Sequence, residues 1–167
     1  MILCLKVLEI LSILGIVCLS IILIISYFEN RKLTTTEYHI SDIRVPKAFN
    51  GFHIVHLSDL HNAEFGAHNE QLIDVINELK PDIIIITGDL IIGKPEQHIA
   101  ESVDFMNKLC DIAPVYFSMG NHELRVSLYE DVYGDMWKQF MERVSPKVHL
   151  LFDEKAAIIK NGDQIWL

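Results

Sequence analysis

The apolar positions of this 167-residue chain fall into runs of three kinds. The first is continuous. Ile10 to Phe28 holds 19 residues without a charge, close to the roughly 20 that cross a bilayer as a helix. The second kind is short and strand-like: His53–Ser58, Asp82–Thr87 and Val115–Met119. Within it, Ile83-Ile84-Ile85-Ile86 does not alternate, as expected of a parallel strand covered on both faces. The third kind is periodic. Leu72, Ile73, Ile76 and Leu79 mark one helical face over 69–80, and Pro81 ends it. Ile99, Val103, Met106, Leu109 and Cys110 mark another over 96–110.

The remaining segments predict less regular pieces. Tyr38–Val45 alternates loosely and stops at Pro46, so it reads as a strand entering the domain. Phe49–Phe52 reads as a turn and Gly93-Lys94-Pro95 as a loop. Residues 129–143 are helical in their second half, with Trp137, Phe140 and Met141 facing inward. Val148–Phe152 and Ala156–Ile159 follow as strands. Asn161-Gly162 is a two-residue hairpin turn, and Gln164–Leu167 opens a further strand. The expected organisation is a flank at 1–9, a transmembrane anchor at 10–28, a linker at 29–38 and one α/β domain over 39–167.

Composition narrows the class. The net charge of −9 argues against a nucleic-acid backbone as partner, since that needs a basic surface. Cys4, Cys18 and Cys110 show neither metal spacing nor a disulfide framework. A cleaved signal peptide would have a shorter apolar core, about 7–15 residues, followed by a small-x-small site. Here the run ends Ser26-Tyr27-Phe28-Glu29-Asn30 without such a site, which favours an uncleaved single-pass anchor in the cell membrane. Lys and Arg nearly balance on its two flanks, Lys6 against Arg31 and Lys32, with only a slight lean to a cytoplasmic domain.

Chemistry gathers where the strand-like runs end. The clusters are Asp59-Leu60-His61, Gly88-Asp89 and Gly120-Asn121-His122-Glu123. Asp59 to Asp89 is 30 residues and Asp89 to Asn121 is 32, each about one strand–helix–strand unit. Metal-ligand types thus recur at the same end of successive strands, where open α/β sheets bind ligands. Each cluster alone has a plainer reading, since an Asp after a strand is often a helix N-cap. His53 and His56 read as strand residues, His68 and His98 as surface residues, and His149 has no ligand-like neighbour. The joint spacing is what points to metal chemistry. Carboxylates and imidazoles suit a catalytic divalent centre with open positions for water and substrate.

Together, Asp59-x-His61, Gly88-Asp89 and Gly120-Asn121-His122-Glu123 resemble the calcineurin-like metallophosphoesterase superfamily. The stretches Leu57–Asn62, Lys80-Pro81-Asp82 and Thr87–Leu90 look like its membrane-associated phosphodiesterase branch, and the likeness runs from His39 to Leu167. The resemblance implies a two-sheet β-sandwich flanked by helices, with the site at the strand ends. It implies two divalent metal ions, Mn, Fe or Zn. Asp59 and His61 would hold one, Asp89 would bridge both, and Asn121 would hold the second. His122 would contact the phosphate rather than a metal, and would stabilise or protonate the leaving oxygen. Glu123 would orient its neighbours. A metal-activated hydroxide would hydrolyse a phosphodiester or phosphomonoester, with lipid-linked or nucleotide-sugar substrates suggested by the branch. Anchored relatives suggest an extracytoplasmic domain.

One departure qualifies that expectation. The family pattern adds a lone histidine and a Gly-His-x-His element later in the fold. After His122 this chain has only His149. The chain therefore reads as the N-terminal portion of such a domain, weakly active as it stands. The alternative is a non-catalytic membrane-anchored protein that keeps a degenerate metallophosphoesterase domain.

Overall fold

A computed structural model describes residues 2–29, 32–95, 98–144 and 146–167. The chain divides into two compact units, one reaching Tyr38 and one spanning His39–Leu167. The first contains α1, Ile2–Glu29. Its window Ile10–Tyr27 has a mean hydropathy of 2.7 with no residue buried, so it is long and apolar enough to be a candidate membrane span.

The second unit is built on a parallel sheet. Its strands are β1 (Ile54–Leu57), β2 (Ile83–Ile86), β3 (Val115–Ser118) and β4 (Val148–Leu151), in the spatial order β1-β2-β3-β4. Helices α2 (Glu70–Leu79) and α3 (Ala100–Ile112) make the first two crossovers. Between β3 and β4 lie α4 (Asn121–Leu128), the short α5 (Glu130–Tyr133) and α6 (Met136–Arg143). The antiparallel hairpin of β5 (Ala157–Lys160) and β6 (Asp163–Trp166) forms a second sheet. Asn161 and Gly162 turn it with φ of 51° and 88°, the doubly positive geometry of a type I′ turn.

The isoleucine run is buried on both faces, as its lack of alternation required. Ile84 and Ile86 share one face with their register partners Val115 and Phe117, and all four are essentially inaccessible. Phe117 there meets Phe140 of α6 at a ring separation of 6.2 Å. On the other face Ile83 packs with Phe49 and Ile158, joined by Phe52, Ile85, Tyr116 and Ile165, so the hairpin covers this side. An ion pair fastens it further, with Lys160 Nζ 3.1 Å from Asp82 Oδ1 at the start of β2. Asp82 Oδ2 also accepts the His53 N–H at 2.8 Å. A helix-flanked mixed α/β architecture with two sheets is therefore what the sequence predicted.

Two local expectations differ. Tyr38–Val45 forms no strand. The Asp42 carboxylate accepts the Arg44 backbone N–H and its guanidinium, and Val45 N–H bonds back to Asp42 O, which closes a turn in mid-segment. The helical stretch expected over 96–110 starts at Ala100, with Glu96 and Gln97 outside the described residues. Helix α4, directly after β3, was not foreseen.

Candidate metal centre

Parallel pairing in sequence order places three strand ends side by side. Leu57 is in register with Ile86, and Ile86 with Phe117. Asp59, Asp89 and Asn121 follow these residues by two, three and four positions. The acidic clusters therefore fan out over one edge of the sheet.

The backbone turns sharply at the ligand-type residues of the first two clusters. Asp59, His61, Asn62 and Asp89 all have positive φ, between 47° and 57°. Such residues cost about 1–3 kcal/mol each and persist where surrounding structure over-determines them. Here the two loops are laced together. Asp59 N–H donates to Gly88 O at 3.2 Å, His61 N–H to Asp89 O at 2.8 Å, and Asn62 N–H to Leu90 O at 3.0 Å. Gly88, at φ 90°, lies so close to Gly120 that a Cβ would overlap the Gly120 backbone. A Cβ on Gly120 would overlap Asp89 Oδ1. The third loop is thereby pressed against the second.

Glu123 grips this junction. It is fully buried on the first turn of α4. Its Oε2 accepts the N–H groups of Asp89 and Gly120 at 2.8 and 2.9 Å, and its Oε1 accepts that of Ile91 at 3.0 Å. A buried carboxylate is tolerated when hydrogen bonds replace its hydration, and three do so here.

The side chains converge above. Asp89 is 8% exposed. Its Oδ1 accepts the His122 main-chain N–H at 3.0 Å, and its Oδ2 lies 3.8 Å from His61 Nε2. Asp59 Oδ1 lies 3.8 Å from the same His61 nitrogen, while Oδ2 accepts from Ser58 Oγ. The rings of His61 and His122 meet edge to face at 4.8 Å. Donor atoms of His61, Asp89 and His122 all lie within 4.8 Å of one another. Ligands at about 2.0–2.2 Å from one ion are some 3–4 Å apart, so the group of His61, Asp89 and His122 could hold a divalent ion, with Asp59 reaching it through His61. Asn121 is exposed at the first position of α4.

A profile of the calcineurin-like phosphoesterase family matches residues 52–163, most of the second unit. The chain belongs to the calcineurin-like phosphoesterase family. Several curated members of the family are similar to it. The uncharacterized metallophosphoesterase YkuE of Bacillus subtilis is 36% identical over 101 residues, which is 58% of this chain and 35% of YkuE. A transmembrane protein with metallophosphoesterase domain from Bos taurus is 26% identical over 155 residues, 89% of this chain and 33% of that protein. The UDP-2,3-diacylglucosamine pyrophosphatase LpxG of Chlamydia muridarum is 31% identical over 101 residues, 56% of this chain and 30% of LpxG. The chain thus spans about a third of the length of these relatives.

Phosphoesterase motifs singled out by sequence are drawn together at Asp59, His61, Asp89, His122 and Glu123. The other histidines lie elsewhere. His56 Nε2 bonds Thr87 Oγ1 at 2.8 Å, His53 Nδ1 bonds Leu79 O at 3.3 Å, and His149 stacks on Tyr116. Two residues at the candidate site had been given no role there. Asn62 Oδ1 accepts the Ile92 N–H at 2.6 Å, and its Nδ2 donates to Ser102 Oγ at 3.2 Å. Gly93 N–H donates to His122 Nδ1 at 2.9 Å. The signal for Asn62 was its place right after the ligand-type pair. Gly93 offered only a loop glycine.

Proposed function

We propose that this chain carries the metal-binding strand ends of a divalent-metal-dependent phosphoesterase. The observation that carries the reading is His61 Nε2 at 3.8 Å from both Asp59 Oδ1 and Asp89 Oδ2, donors supplied by adjacent parallel strands. Asp59 and His61 would hold one divalent ion, and Asp89 and Asn121 would serve a second. Bound there, such ions would supply charge neutralisation and activation of water for attack on phosphorus.

The protein's own groups do the rest. The lacing of loops 59–62 and 88–90 fixes the ligand spacing before any ion arrives. Asp89 Oδ1 is held by a main-chain N–H, which leaves Oδ2 turned toward His61. His122 lies against His61, and would contact a phosphoryl or leaving oxygen. Glu123 has no free oxygen for an ion and serves to hold the loops. Helix α1 anchors the domain at a membrane, with the domain on the extracytoplasmic side. The name of LpxG describes a pyrophosphatase for a lipid-bearing nucleotide sugar. A phosphoester at the bilayer surface is the corresponding substrate class for this chain.

The test is hydrolysis of an aryl phosphodiester with Mn. Asp89→Asn should lower turnover by at least about 100-fold, the scale of losing an electrostatic catalytic group. Unchanged turnover would sink the assignment of Asp89. Stoichiometric metal binding with no turnover on any phosphoester would favour the non-catalytic alternative.

A further inference from the structure

The segment Asp89–Gly93 has no regular structure, yet its main chain is held from three sides by the site's side chains. Glu123 takes the N–H groups of Asp89 and Ile91, Asn62 takes that of Ile92, and His122 takes that of Gly93. The last contact differs in kind from the others. Its acceptor is a ring nitrogen, and its donor is a main-chain N–H that can never act as an acceptor.

A neutral imidazole has one protonated nitrogen and one with a lone pair. Nδ1 of His122 accepts the Gly93 N–H at 2.9 Å, so it bears the lone pair. The proton of the neutral ring is then on Nε2. A protonated nitrogen has no lone pair for a metal, and Nδ1 has already committed its own. His122 belongs by distance to the same donor group as His61 and Asp89, and in the neutral ring the hydrogen bond leaves it a donor at Nε2.

We propose that Gly93 is a positioning residue whose main-chain N–H fixes the neutral His122 ring as the Nε2–H tautomer, which suits the phosphoryl contact already proposed for that histidine. The role toward phosphoryl rests on the function proposed above; the tautomer does not. The absence of a side chain at 93 assists slightly. A Cβ there would stand 3.3 Å from His122 Nδ1 and 3.4 Å from Val126 Cγ2, so the ring would have to give by only a few tenths of an ångström.

The experiment uses the full chain, 15N-labelled at histidine, in detergent micelles without metal, well above the ordinary histidine titration range. Long-range 1H–15N spectra report each ring's tautomer, and His122→Gln identifies the signal of His122. An Nε2–H pattern is expected, and an Nδ1–H pattern or an even mixture overturns the proposal. Gly93→Pro removes the donor and should shift His122 toward a mixture. Gly93→Ala keeps the N–H and should keep the Nε2–H tautomer. If the proline variant does not fold, the unsubstituted chain and the alanine variant decide the question.

A second arm is Mn titration by calorimetry. Residues that merely orient a ligand cost about 10–100-fold in affinity when lost, so a true ligand costs at least as much. His61→Gln should show such a loss. His122→Gln should change affinity by less than about threefold, because the main-chain N–H that holds Asp89 Oδ1 survives it. Equal losses for the two would overturn the inference. A correct tautomer in a protein that hydrolyses no phosphoester would instead count against the proposed function alone.

Discussion

Asp59 and Asp89 occupy equivalent places, just past the ends of neighbouring parallel strands and both at positive φ. Their surroundings are unlike. The Asp89 side chain is nearly buried, with one oxygen held by the His122 N–H and its own N–H held by Glu123. The Asp59 side chain is 67% exposed and its carboxylate bonds the neighbouring Ser58 hydroxyl. Main-chain bonds fix both loops, but of the two carboxylates Asp89 is held by a main-chain N–H in a buried position and Asp59 by an exposed serine hydroxyl. Under the proposed function, the rigid carboxylate would define the metal position and the adaptable one would close around whatever binds.

The largest effect should come from removing what makes the Asp89 side rigid. Glu123→Ala leaves three N–H groups around a buried void without acceptors, and each such group costs about 1–3 kcal/mol. The loss is comparable to the whole stability of an ordinary domain, about 5–15 kcal/mol. The variant should lose its cooperative urea transition. Ser58→Ala, the matching change beside Asp59, should move the midpoint by less than about 1 kcal/mol, as for an exposed hydrogen bond. Two variants of similar stability would erase the distinction between the loops.

Metal affinity gives the next, smaller contrast. Asp89→Asn should weaken Mn binding by about 100-fold or more, since no other group can enter its buried position. Asp59→Asn should weaken it by about tenfold, because water can replace an exposed ligand. Calorimetric titration of both variants reads the ratio directly. Losses of equal size would mean that burial does not rank the two carboxylates.

Much of this division was invisible in the sequence. Side-chain donors were legible because Asp, His and Asn stand out after β-branched runs, and the spacing of Asp59, Asp89 and Asn121 repeats the strand–helix–strand length. The central strands were legible for the same reason: Ile83–Ile86 can only be buried. The acceptor roles of Glu123, Asn62 and His122 depend on main-chain N–H groups, which every residue but proline has, so no residue type announces them. Helix α4 escaped notice because Asn121–Leu128 lacks a continuous apolar stripe, and its inward positions are Val126 and the charged Glu123. Tyr38–Val45 alternates like a strand, but the Asp42 carboxylate captures Arg44 and turns the chain.

The smallest effect lies at the opposite end of β2, where another aspartate shows what the fold does with a carboxylate that serves structure alone. Burial would raise the Asp82 carboxyl, but the His53 N–H and the Lys160 ammonium outweigh it and hold the group below the ordinary carboxylate value. A depressed carboxyl contributes stability above its unfolded pKa, about 3.9, and loses it as pH falls through the lower folded value. The contribution is therefore complete at neutral pH and disappears only in acid. It is modest, under about 1 kcal/mol, because the pair is about one-third exposed and screened by solvent. Urea midpoints of the full chain in detergent should fall more steeply below pH 4, by about that amount, than those of Asp82→Asn. Raising salt toward roughly 1 M should shrink the difference, since the Debye length there is only about 3 Å. Parallel acid limbs for the two proteins would show that the tie between Lys160 and β2 contributes nothing. The hairpin would then be held to the sheet chiefly by apolar contacts, those of Ile158 with Phe49 and Ile83 at their centre.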